Sequence, residues 1–545
     1  VTTMPDGGFV AVGRTKSDDG DVAGLAEGNN DGLIAKFSAD GTLEKAVVFG
    51  GSVKDELYDV TSAQDGGFVV VGQCFSEDGD LADIGTAGKG DAVIAKFDAE
   101  LNVVWVGRVA GSAADYFGSV VANPDGGFVA AGYTSSSDGD MAEAGTQGGK
   151  DGLAAKFPAD GEREWIRVFG GSEDDELASV ARAHLKGVDM SDEEGGERPD
   201  VDPSEIDGGY ILSGTTASAD GVFAGAKDSG AGVDSGYLLK IDANGSLEWS
   251  KVLENENSAT ADSVMATANG FTVAGTYEGS SLDFTGQDSY GKDDLYVASF
   301  SKEGRYHGMN TVGGADNDRL GGITFGGSGD YLLYGATASS DGPFTGMQGK
   351  TDGFLMSLNA EVADTHAEEK YLVPVVAWHA SKDQPSMMAD MLYKDAYVEK
   401  TGEQYRITFY FINANIMGVQ VNASTLGAVS YDFDGQTLEA DVDEYDPVTQ
   451  VKTCTITTDT LDENVMIHIE DAMGDIRLHF DPQGMQEAET PPYFEPVEVT
   501  LPDFESAWKT GVGGSSTDYP NAATVLADGT LVVGGQAYSN DGDFA

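Results

Sequence analysis

The chain has little cysteine and little histidine, and both shortages narrow what it can do. Its 545 residues include two cysteines, Cys74 and Cys454, and six histidines. No Cys-x-x-Cys pair and no cluster of cysteine with histidine is present, so the sequence predicts no zinc site. Because the two cysteines fall in different modules of the chain, we expect two small buried apolar side chains and no disulfide between them.

Basic residues are also scarce. Lys and Arg total 31 against 93 Asp and Glu, which gives a formal net charge of −62 at pH 7. A surface of this sign repels phosphate backbones and anionic lipid headgroups, so we expect no binding to nucleic acid and no charge-driven binding to membranes. Three explanations of the acidity stay open: solubility on an extracellular surface, a salt-rich habitat, or many weak cation sites.

Long apolar runs are missing as well. A membrane-spanning helix needs about 18 consecutive apolar residues. No such run occurs, so no transmembrane segment is predicted. No signal peptide is recognisable, but the chain opens at Val1 inside a repeat, which indicates a fragment, and targeting signals outside it are left open.

What the chain has in abundance is a repeat. The segment Asp65–Gly72 returns after about 60 residues as Asp125–Gly132 and stands about 60 residues earlier as Asp6–Gly13. A full unit contains four candidate strands joined by Gly/Asp turns: Leu57–Ser62, Phe68–Cys74, Ala92–Phe97 and Asn102–Val109. Four such strands are typical of one antiparallel sheet, and repeated sheets of this size are the blades of a β-propeller.

The second strand of the unit gives the blade count. It recurs near Phe9, Phe68, Phe128, Tyr210, Phe271, Tyr331 and Leu531. We therefore predict an all-β protein with a propeller of about seven four-stranded blades, the first and last incomplete. The predicted domains are propeller blades over residues 1–361, an insert over residues 362–503, and the continuation of the propeller over residues 504–545.

The units resemble the SBBP family of bacterial β-propeller repeats. The motifs that carry the resemblance are Gly170-Gly171-Ser172, Asp175, Gly132–Ser136 and Asp151–Phe157. The resemblance covers about three quarters of the chain. It implies a propeller in a secreted or surface-associated setting, and it implies no activity, because a fold does not determine a function.

The loop Ser-x-Asp-Gly-Asp recurs in four units and supplies the candidate metal ligands of the repeat. Carboxylates flanking a glycine can wrap a hard cation such as calcium, which prefers oxygen ligands. The same residues also build turns in which Asp accepts backbone N–H bonds, and none of the loops has the spacing of an EF-hand. Both interpretations stay open for Asp19, Asp21, Asp78, Asp80, Asp138, Asp140, Asp541 and Asp543.

A second set of aspartates recurs in register, at Asp55, Asp115, Asp175 and Asp518. We expect these to cap turns or bind backbone N–H groups, because a catalytic group repeated in every blade would not make the single asymmetric site of an enzyme. No nucleophile elbow and no HExxH motif is present. Paired carboxylates stay open as catalysts, since an acidic chain offers many candidates. The sequence therefore predicts a protein that is not an enzyme.

The insert does not follow the repeat and holds four of the six histidines: His366, His379, His468 and His479. Its short strands, separated by turn residues, predict an immunoglobulin-like β-sandwich. Parts of it look like a NEAT (near-iron transporter) domain. The matching segments are Tyr371–Val375, Ser386–Met391, Ala396–Val398, Tyr405–Phe409, Val465–Ile469 and Arg477–Asp481.

This second resemblance implies a surface module of Gram-positive bacteria that binds haem, or haemoglobin, between a short 3₁₀ helix and the final hairpin. Ser386 matches the serine that contacts a haem propionate, and Met387 and Met388, with Met391 on the same helix, would lie against the porphyrin. The family's Tyr-x-x-x-Tyr motif is absent, so His468, Met473 or a helix methionine would have to ligate iron. The alternatives are that the methionines fill the core and that His468 and His479 are ordinary strand residues.

The sequence thus predicts a non-enzymatic binding protein, extracellular or on a cell surface, in which a propeller scaffold carries a module for haem or a haemoprotein. The alternative is a surface adhesin or scaffold whose insert binds a protein partner without haem. The candidate ligand residues are Ser386, Met387, Met388, Met391, His468 and Met473.

Overall fold

A computed structural model of the chain shows two compact units. The propeller unit comprises residues 1–361 and 501–545, and the inserted unit comprises residues 362–500. The residues that the structure describes are 1–17, 19–25, 30–84, 88–183, 209–224, 232–267, 270–285, 287–302, 304, 306–325, 331–345, 347, 350–358, 369–382, 386–401, 404–416, 419–421, 423, 426–433, 436–442, 451–458, 461, 465–469, 475–481, 485–487, 509–512, 516–526 and 530–538.

The propeller unit is built from antiparallel sheets that follow one another along the chain. Their strands are β1 (Thr2–Thr3), β2 (Phe9–Thr15), β3 (Asp31–Phe37) and β4 (Leu43–Phe49) in blade 1; β5 (Asp55–Ser62), β6 (Phe68–Cys74), β7 (Asp91–Phe97) and β8 (Val103–Val109) in blade 2; β9 (Asp115–Ala122), β10 (Phe128–Thr134), β11 (Asp151–Phe157) and β12 (Trp165–Phe169) in blade 3; β13 (Asp175–Arg182), β14 (Tyr210–Thr216), β15 (Ser235–Ile241) and β16 (Leu247–Leu253) in blade 4; β17 (Ser258–Ala259), β18 (Ser263–Thr267), β19 (Gly270–Glu278), β20 (Asp293–Ser301) and β21 (Tyr306–Val312) in blade 5; β22 (Asp318–Phe325), β23 (Tyr331–Thr337), β24 (Asp352–Leu358) and β37 (Lys509–Val512) in blade 6; and the pair β38 (Asp518–Val525) and β39 (Leu531–Ala537).

The blades form a propeller-like ring. First strands of successive blades lie side by side from β5 to β38, and β1 lies next to both β5 and β38. In the described part of the chain six sheets have four or five strands, and the predicted seventh unit is the two-stranded sheet of β38 and β39. The prediction of a propeller is confirmed in this coarser form, while the count of seven blades is not.

The repeated Asp-Gly-Gly segment makes the turn between the first and second strands. Gly66 has φ of +88°, a backbone conformation that favours glycine, and the side chain of Asp65 accepts the N–H of Gly67 at 3.2 Å. Lys96, from the Ala-Lys-Phe segment of β7, pairs with Asp65 at 2.6 Å. Two motifs of the period therefore meet in space, and together they fix the register of the blade.

The apolar core of the propeller unit lies between blades. Each of five buried clusters takes residues from two neighbouring blades, as where Phe49 of blade 1 packs with Phe97 of blade 2. Cys74 is a buried free thiol in one of these clusters, and Cys454 is a buried free thiol in the inserted unit. The prediction of two buried apolar cysteines is therefore confirmed.

Hydrogen bonds also join consecutive blades, through their first strands and through their fourth strands. Side chains of β5, β9, β13 and β18 each accept a backbone N–H of the next blade, in the pairs Asp59–Val120 (2.8 Å), Ser119–Val180 (3.3 Å), Ser179–Val264 (3.3 Å) and Ser263–Ile323 (3.3 Å). On the fourth strands, indole N–H groups donate to backbone carbonyls of the next blade, from Trp105 to Ala159 (3.1 Å), Trp165 to Ala243 (3.2 Å) and Trp249 to Lys302 (3.2 Å). At the corresponding register position of blade 5, opposite Ser299, stands Gly308.

Short 3₁₀ helices follow the second strands of the blades, and one lies in the inserted unit. They are η1 (Gly20–Val22), η2 (Gly79–Leu81), η3 (Gly139–Met141), η4 (Gly221–Phe223), η5 (Leu282–Phe284), η6 (Gly342–Phe344) and η7 (Met387–Met391). The strands of the inserted unit are β25 (Glu369–His379), β26 (Asp395–Thr401), β27 (Gln404–Ile412), β28 (Ala414–Ile416), β29 (Val419–Val421), β30 (Val429–Phe433), β31 (Gln436–Glu439), β32 (Asp441–Val442), β33 (Val451–Thr458), β34 (Val465–Ile469), β35 (Ile476–Phe480) and β36 (Gln486–Glu487).

The inserted unit is a curled sheet around one core. Its hydrogen-bonded path runs β31-β30-β34-β35-β25-β26-β27-β33-β32. The long strand β25 makes the link, because residues 369–374 pair with β26 and residues 375–379 pair with β35. Buried residues from both halves of the path share one core, among them Tyr431 of β30 and Ile456 of β33. The predicted immunoglobulin-like sandwich is therefore not confirmed, since one continuous path replaces two separate sheets.

Candidate functional site

The 3₁₀ helix η7 lies on the segment where the resemblance predicts the binding-site helix. Ser386 caps it, since its hydroxyl accepts the N–H of Met388 at 3.2 Å and its carbonyl accepts the N–H of Ala389 at 3.0 Å. The N–H of Ser386 donates to the carbonyl of Ala377 at 2.8 Å, which holds the helix against β25. In this arrangement the Ser386 hydroxyl accepts a hydrogen bond from the first turn of η7, which is the role of an N-cap.

Two methionines of η7, Met388 and Met391, point into the protein. Met388 is 3% exposed and Met391 is fully buried, and both belong to the core of the inserted unit. This burial is what the core-filling alternative predicts, so neither side chain meets a ligand in this conformation. The side chain of Met387, and Met473 as a whole, lie outside the described residues, as does the shortened hairpin tip around Met473.

The final hairpin, β34 and β35, presents a mixed polar and aromatic face on the side opposite the core. Alternation along the strands buries Ile467 and Leu478 and turns their neighbours outward. Cross-strand pairs place Met466 beside Arg477, Arg477 beside Trp378, and His479 beside Val376 of β25. We call this surface the outer face; it comprises Val376, Trp378, Met466, His468, Arg477 and His479.

Three of its side chains are locked together. The rings of Trp378 and His479 stack with centroids 4.2 Å apart and planes 16° from parallel. The guanidinium of Arg477 lies over the Trp378 ring, 5.7 Å from its centroid, and donates from Nε to the carbonyl of His379 at 3.1 Å. Beside them, Val376 keeps 42% of its surface exposed. The outer face therefore holds a fixed stack of an imidazole, an indole and a guanidinium beside an exposed valine.

His468 is the titratable group of the outer face. Its Nδ1 lies 3.1 Å from Asp475 and its Nε2 lies 3.2 Å from Asp432, while its side chain stays 33% exposed. Partial burial alone would lower the pKa of His468, but the hydrogen bonds and charges of Asp475 and Asp432 outweigh it and raise the pKa above its ordinary value. Carboxylate pairing of one nitrogen is how metal-ligating histidines are commonly oriented, with the other nitrogen left for the metal.

Acidic residues of the repeated loops accept hydrogen bonds from backbone N–H groups. Asp78 accepts the N–H of Ser52 at 2.7 Å, and Asp80 accepts that of Gly50 at 3.2 Å. One blade later Asp138 accepts from Ser112 at 2.7 Å and Asp140 from Ala110 at 2.9 Å. These are the contacts that the turn interpretation predicts. Asp19 and Asp21 lie at the start of η1, and Asp541 and Asp543 lie outside the described residues.

The aspartates in register have a related role. Asp55, Asp115 and Asp175 each accept the N–H of the glycine four residues earlier, at 2.9, 2.8 and 2.7 Å, and a serine hydroxyl of the following loop. Asp518 accepts the N–H of Tyr538 at 3.0 Å. Burial raises the pKa of Asp115 and of Asp175 against the lowering effect of these bonds. The predicted turn-capping role is confirmed by these contacts.

Among the described residues, no group of three or more His, Cys, Asp or Glu side chains is arranged to hold a metal ion. The calcium prediction therefore finds no ligand cluster in that part of the chain. Over the same residues, no helix has the length and apolar character that crossing a bilayer requires.

Sequence reasoning missed Trp378 and Arg477, which carry the outer face. Trp378 lies at the end of β25, and its partner Arg477 follows almost a hundred residues later, so no local pattern joins them. The available signal was alternation in Ile476–Phe480, which places Arg477 and His479 on the same side of the strand.

Comparisons with known proteins give structural likeness alone. No family model matches the chain, the SBBP and NEAT patterns included, and no curated protein matches it. The NEAT5 domain of IsdX2, a B. anthracis hemophore in complex with heme, is 15% identical over 21% of this chain and 95% of its own, with a TM-score of 0.18. Sqt1 from Chaetomium thermophilum is 12% identical over 78% of this chain and 96% of its own, with a TM-score of 0.24. A sialidase is 9% identical over 93% of this chain and 48% of its own, with a TM-score of 0.20.

Proposed function

We propose that the inserted unit is a non-enzymatic binding module for haem or for a protein that carries haem, and that the propeller unit is the scaffold into which it is inserted. The observation that carries the proposal is the composition of the outer face. Two imidazoles, a thioether, an indole and a guanidinium share one side of the final hairpin and β25. Imidazole and thioether are axial ligands of haem iron, and a guanidinium can pair with a haem carboxylate.

His468 is the residue that fits iron ligation best. With Nδ1 held by Asp475, the ring presents Nε2, and Asp432 is the exposed carboxylate that would have to yield. Arg477 supplies positive charge beside Trp378 for a haem carboxylate. The buried Met388 and Met391 do not fit the contacts that the resemblance assigned them, so the proposal does not use them.

A haem titration of the full chain, followed by the Soret absorbance, tests the proposal. We expect saturable binding that His468→Ala abolishes and that Asp475→Asn weakens by roughly tenfold or more, because outer-shell carboxylates typically tune metal affinity to this extent. His379→Ala is the matched control, since His379 lies in the same unit and its side chain bonds only to the neighbouring Ser381 among the contacts described. Equal titrations of the His468 and His379 variants would show that His468 is not the ligand.

A second candidate is binding to a protein partner without haem, as an adhesin or scaffold would do. The observation that favours it is the apolar and aromatic part of the outer face, Val376 and Trp378 with Arg477 above, because Trp and Arg are enriched among residues that dominate protein interfaces. Retention of haemoglobin by the immobilised chain separates the two. Loss of retention in Trp378→Ala with full retention in His468→Ala supports recognition of the protein surface. Retention by neither the native chain nor its variants, with no Soret change, rules out the haem proposal and leaves the adhesin as the candidate.

The proposed setting is extracellular or on a cell surface. It rests on the acidic composition, which suits a soluble extracellular surface, and on the secreted or surface setting that the two resemblances imply. Fractionation of the source cells, with the chain followed by antibody, tests the location.

A further inference from the structure

A second polar site lies in the propeller unit, between blades 1 and 2. A cavity of about 390 Å³ opens there, and its lining residues are Arg14, Lys16, Asn30, Lys54 and Glu56. None of the sequence motifs points to it. Three of its five lining side chains are cationic, in a chain where basic residues number 31 against 93 acidic ones.

Glu56 organises the site. Its side chain is 2% exposed and receives bonds from Arg14, from Lys54 Nζ at 2.5 Å, from Asn30 Nδ2 at 3.1 Å and from the Tyr58 hydroxyl at 2.7 Å. Burial alone would raise the pKa of Glu56, but Lys54, Tyr58 and Arg14 together lower it. The carboxylate is therefore ionised at neutral pH and holds two cationic side chains at the cavity wall.

Arg14 and Lys54 keep donor groups for a ligand in addition to their bonds to Glu56. Arg14 is 47% exposed and Lys54 is 46% exposed at the side chain, and each has more N–H donors than the bond to Glu56 employs. Lys16 adds a third positive charge and has no ion pair or hydrogen bond within the described residues. Three positive charges against one carboxylate leave an excess of two at the cavity.

The arrangement is specific to this pair of blades. At the register position of Glu56 stand Tyr116 in blade 3, Glu176 in blade 4 and Arg319 in blade 6, and at that of Arg14 stand Tyr133, Thr215 and Ala336. Glu176 keeps 48% of its side chain exposed and pairs with Lys150, so it does not repeat the buried carboxylate that holds an arginine and a lysine. A feature required by the repeat itself would recur in each blade, whereas a ligand site needs to occur once. The buried glutamate with its cationic ring is thus an addition to the scaffold.

We infer that this cavity binds an oxyanion, the sulfate, phosphate or carboxylate group of a small ligand, with Arg14, Lys16 and Lys54 as its donors. Arg and Lys are the side chains that recognise such groups, Arg through its planar fork and Lys as a point charge. Glu56 is a positioning residue that sets the directions of Arg14 and Lys54. This site is independent of the proposed haem module.

Calorimetric titration of the full chain with sulfate, glucuronate and glucose tests the inference. We expect binding of the anions, none of glucose, and a fall in affinity at raised NaCl. Lys16→Gln weakens anion binding by roughly fivefold to tenfold, because it removes one charge-assisted donor. Lys292→Gln is the control, since it removes the same charge from an exposed pair with Asp316 elsewhere in the propeller unit.

Binding of glucuronate supports an acidic saccharide as the source of the anion, and binding of sulfate alone supports a free inorganic anion. Equal binding of glucose and glucuronate, or equal affinity of the Lys16 and Lys292 variants for the anions, overturns the inference. Lys16 makes no contact that the fold uses among the described residues, so its substitution leaves the blades intact and an unchanged melting temperature verifies this.

Discussion

The indole N–H of Trp105 donates to the carbonyl oxygen of Ala159 at 3.1 Å, and the ring of Trp105 covers Gly161 in the same turn. A Cβ atom on Gly161 would lie 2.5 Å from the indole Cδ2. The pair joins the fourth strand of blade 2 to a turn of blade 3. Glycine is required at Gly161 both by its φ of +83° and by the ring above it.

Gly161→Ala should destabilise the propeller unit more than Gly41→Ala. Gly41 occupies the matching turn of blade 1 with φ of +81°, and nothing lies within 4 Å of its Cβ position. Both variants carry the left-handed backbone cost of about 1–2 kcal/mol, and the ring clash adds about 1–3 kcal/mol at Gly161 alone. Thermal unfolding followed by calorimetry measures the difference. Equal melting temperatures for the two variants would mean that the Trp105 ring gives way freely.

Asp138→Asn should be tolerated better than Asp138→Ala. The carboxylate accepts the N–H of Ser112, and an amide oxygen can accept it as well, whereas a methyl group cannot. Melting temperatures of the two variants measure the difference.

Adding millimolar calcium or a chelator should leave the melting temperature of the native chain unchanged. A calcium-dependent rise that both substitutions remove would show instead that the loop binds the ion.

The contribution of Asp318 to the stability of the propeller unit should fall as the pH rises from about 4 to about 6. Burial raises the pKa of Asp318 to about 6, despite hydrogen bonds from Thr337, Gly314 and Ser339. Between the unfolded value of 3.8 and the folded value, the folded state binds more protons, so raising the pH costs it roughly 1–3 kcal/mol.

Asp318→Asn should flatten this slope, because the amide does not titrate. The control Asp316→Asn removes an exposed carboxylate two residues away and should leave the slope as it is. Urea unfolding at a series of pH values gives both slopes. Parallel pH profiles for the native chain and Asp318→Asn would assign the effect to other groups.

Haem affinity through His468 should increase as the pH rises through the raised pKa of that residue, because only the neutral ring has a lone pair for iron. The contribution of the His468–Asp475 pair to stability runs the other way: it is complete below the unfolded pKa of 6.5 and is lost as the pH rises through the folded value. Imidazole proton NMR of the full chain should show the pKa of His468 fall in Asp475→Asn. An unchanged pKa in that variant would mean that Asp475 does not hold the ring in solution.

The repeat made much of the propeller unit predictable, because each element that recurs has a local physical reason. The Asp65-Gly66-Gly67 turn is read from its glycines, and strand Phe68–Cys74 ends at the predicted residues. Its contacts across blades were not predictable in detail. Asp59 and Val120 lie in different units, and nothing in either segment indicates that one accepts the N–H of the other.

The inserted unit was harder to predict from the sequence. Alternation along β25 shows which side chains are buried but cannot show that its two halves pair with different strands. Methionine suits both a core and a ligand surface, so composition alone could not decide the burial of Met388. The cavity at Glu56 depends on an arginine, two lysines and an asparagine brought from two blades, which no motif in one unit could indicate.

Gly308 has a consequence for how the chain could acquire its insert. In blades 2 to 4 a tryptophan occupies this register position and rests on a turn of the following blade. Gly308 in blade 5 has no side chain that could contact blade 6 in this way. In blade 6 the inserted unit interrupts the repeat between the third strand and the fourth strand. Blade 6 therefore accommodates an interruption at this point of its sequence without losing a tryptophan contact from blade 5.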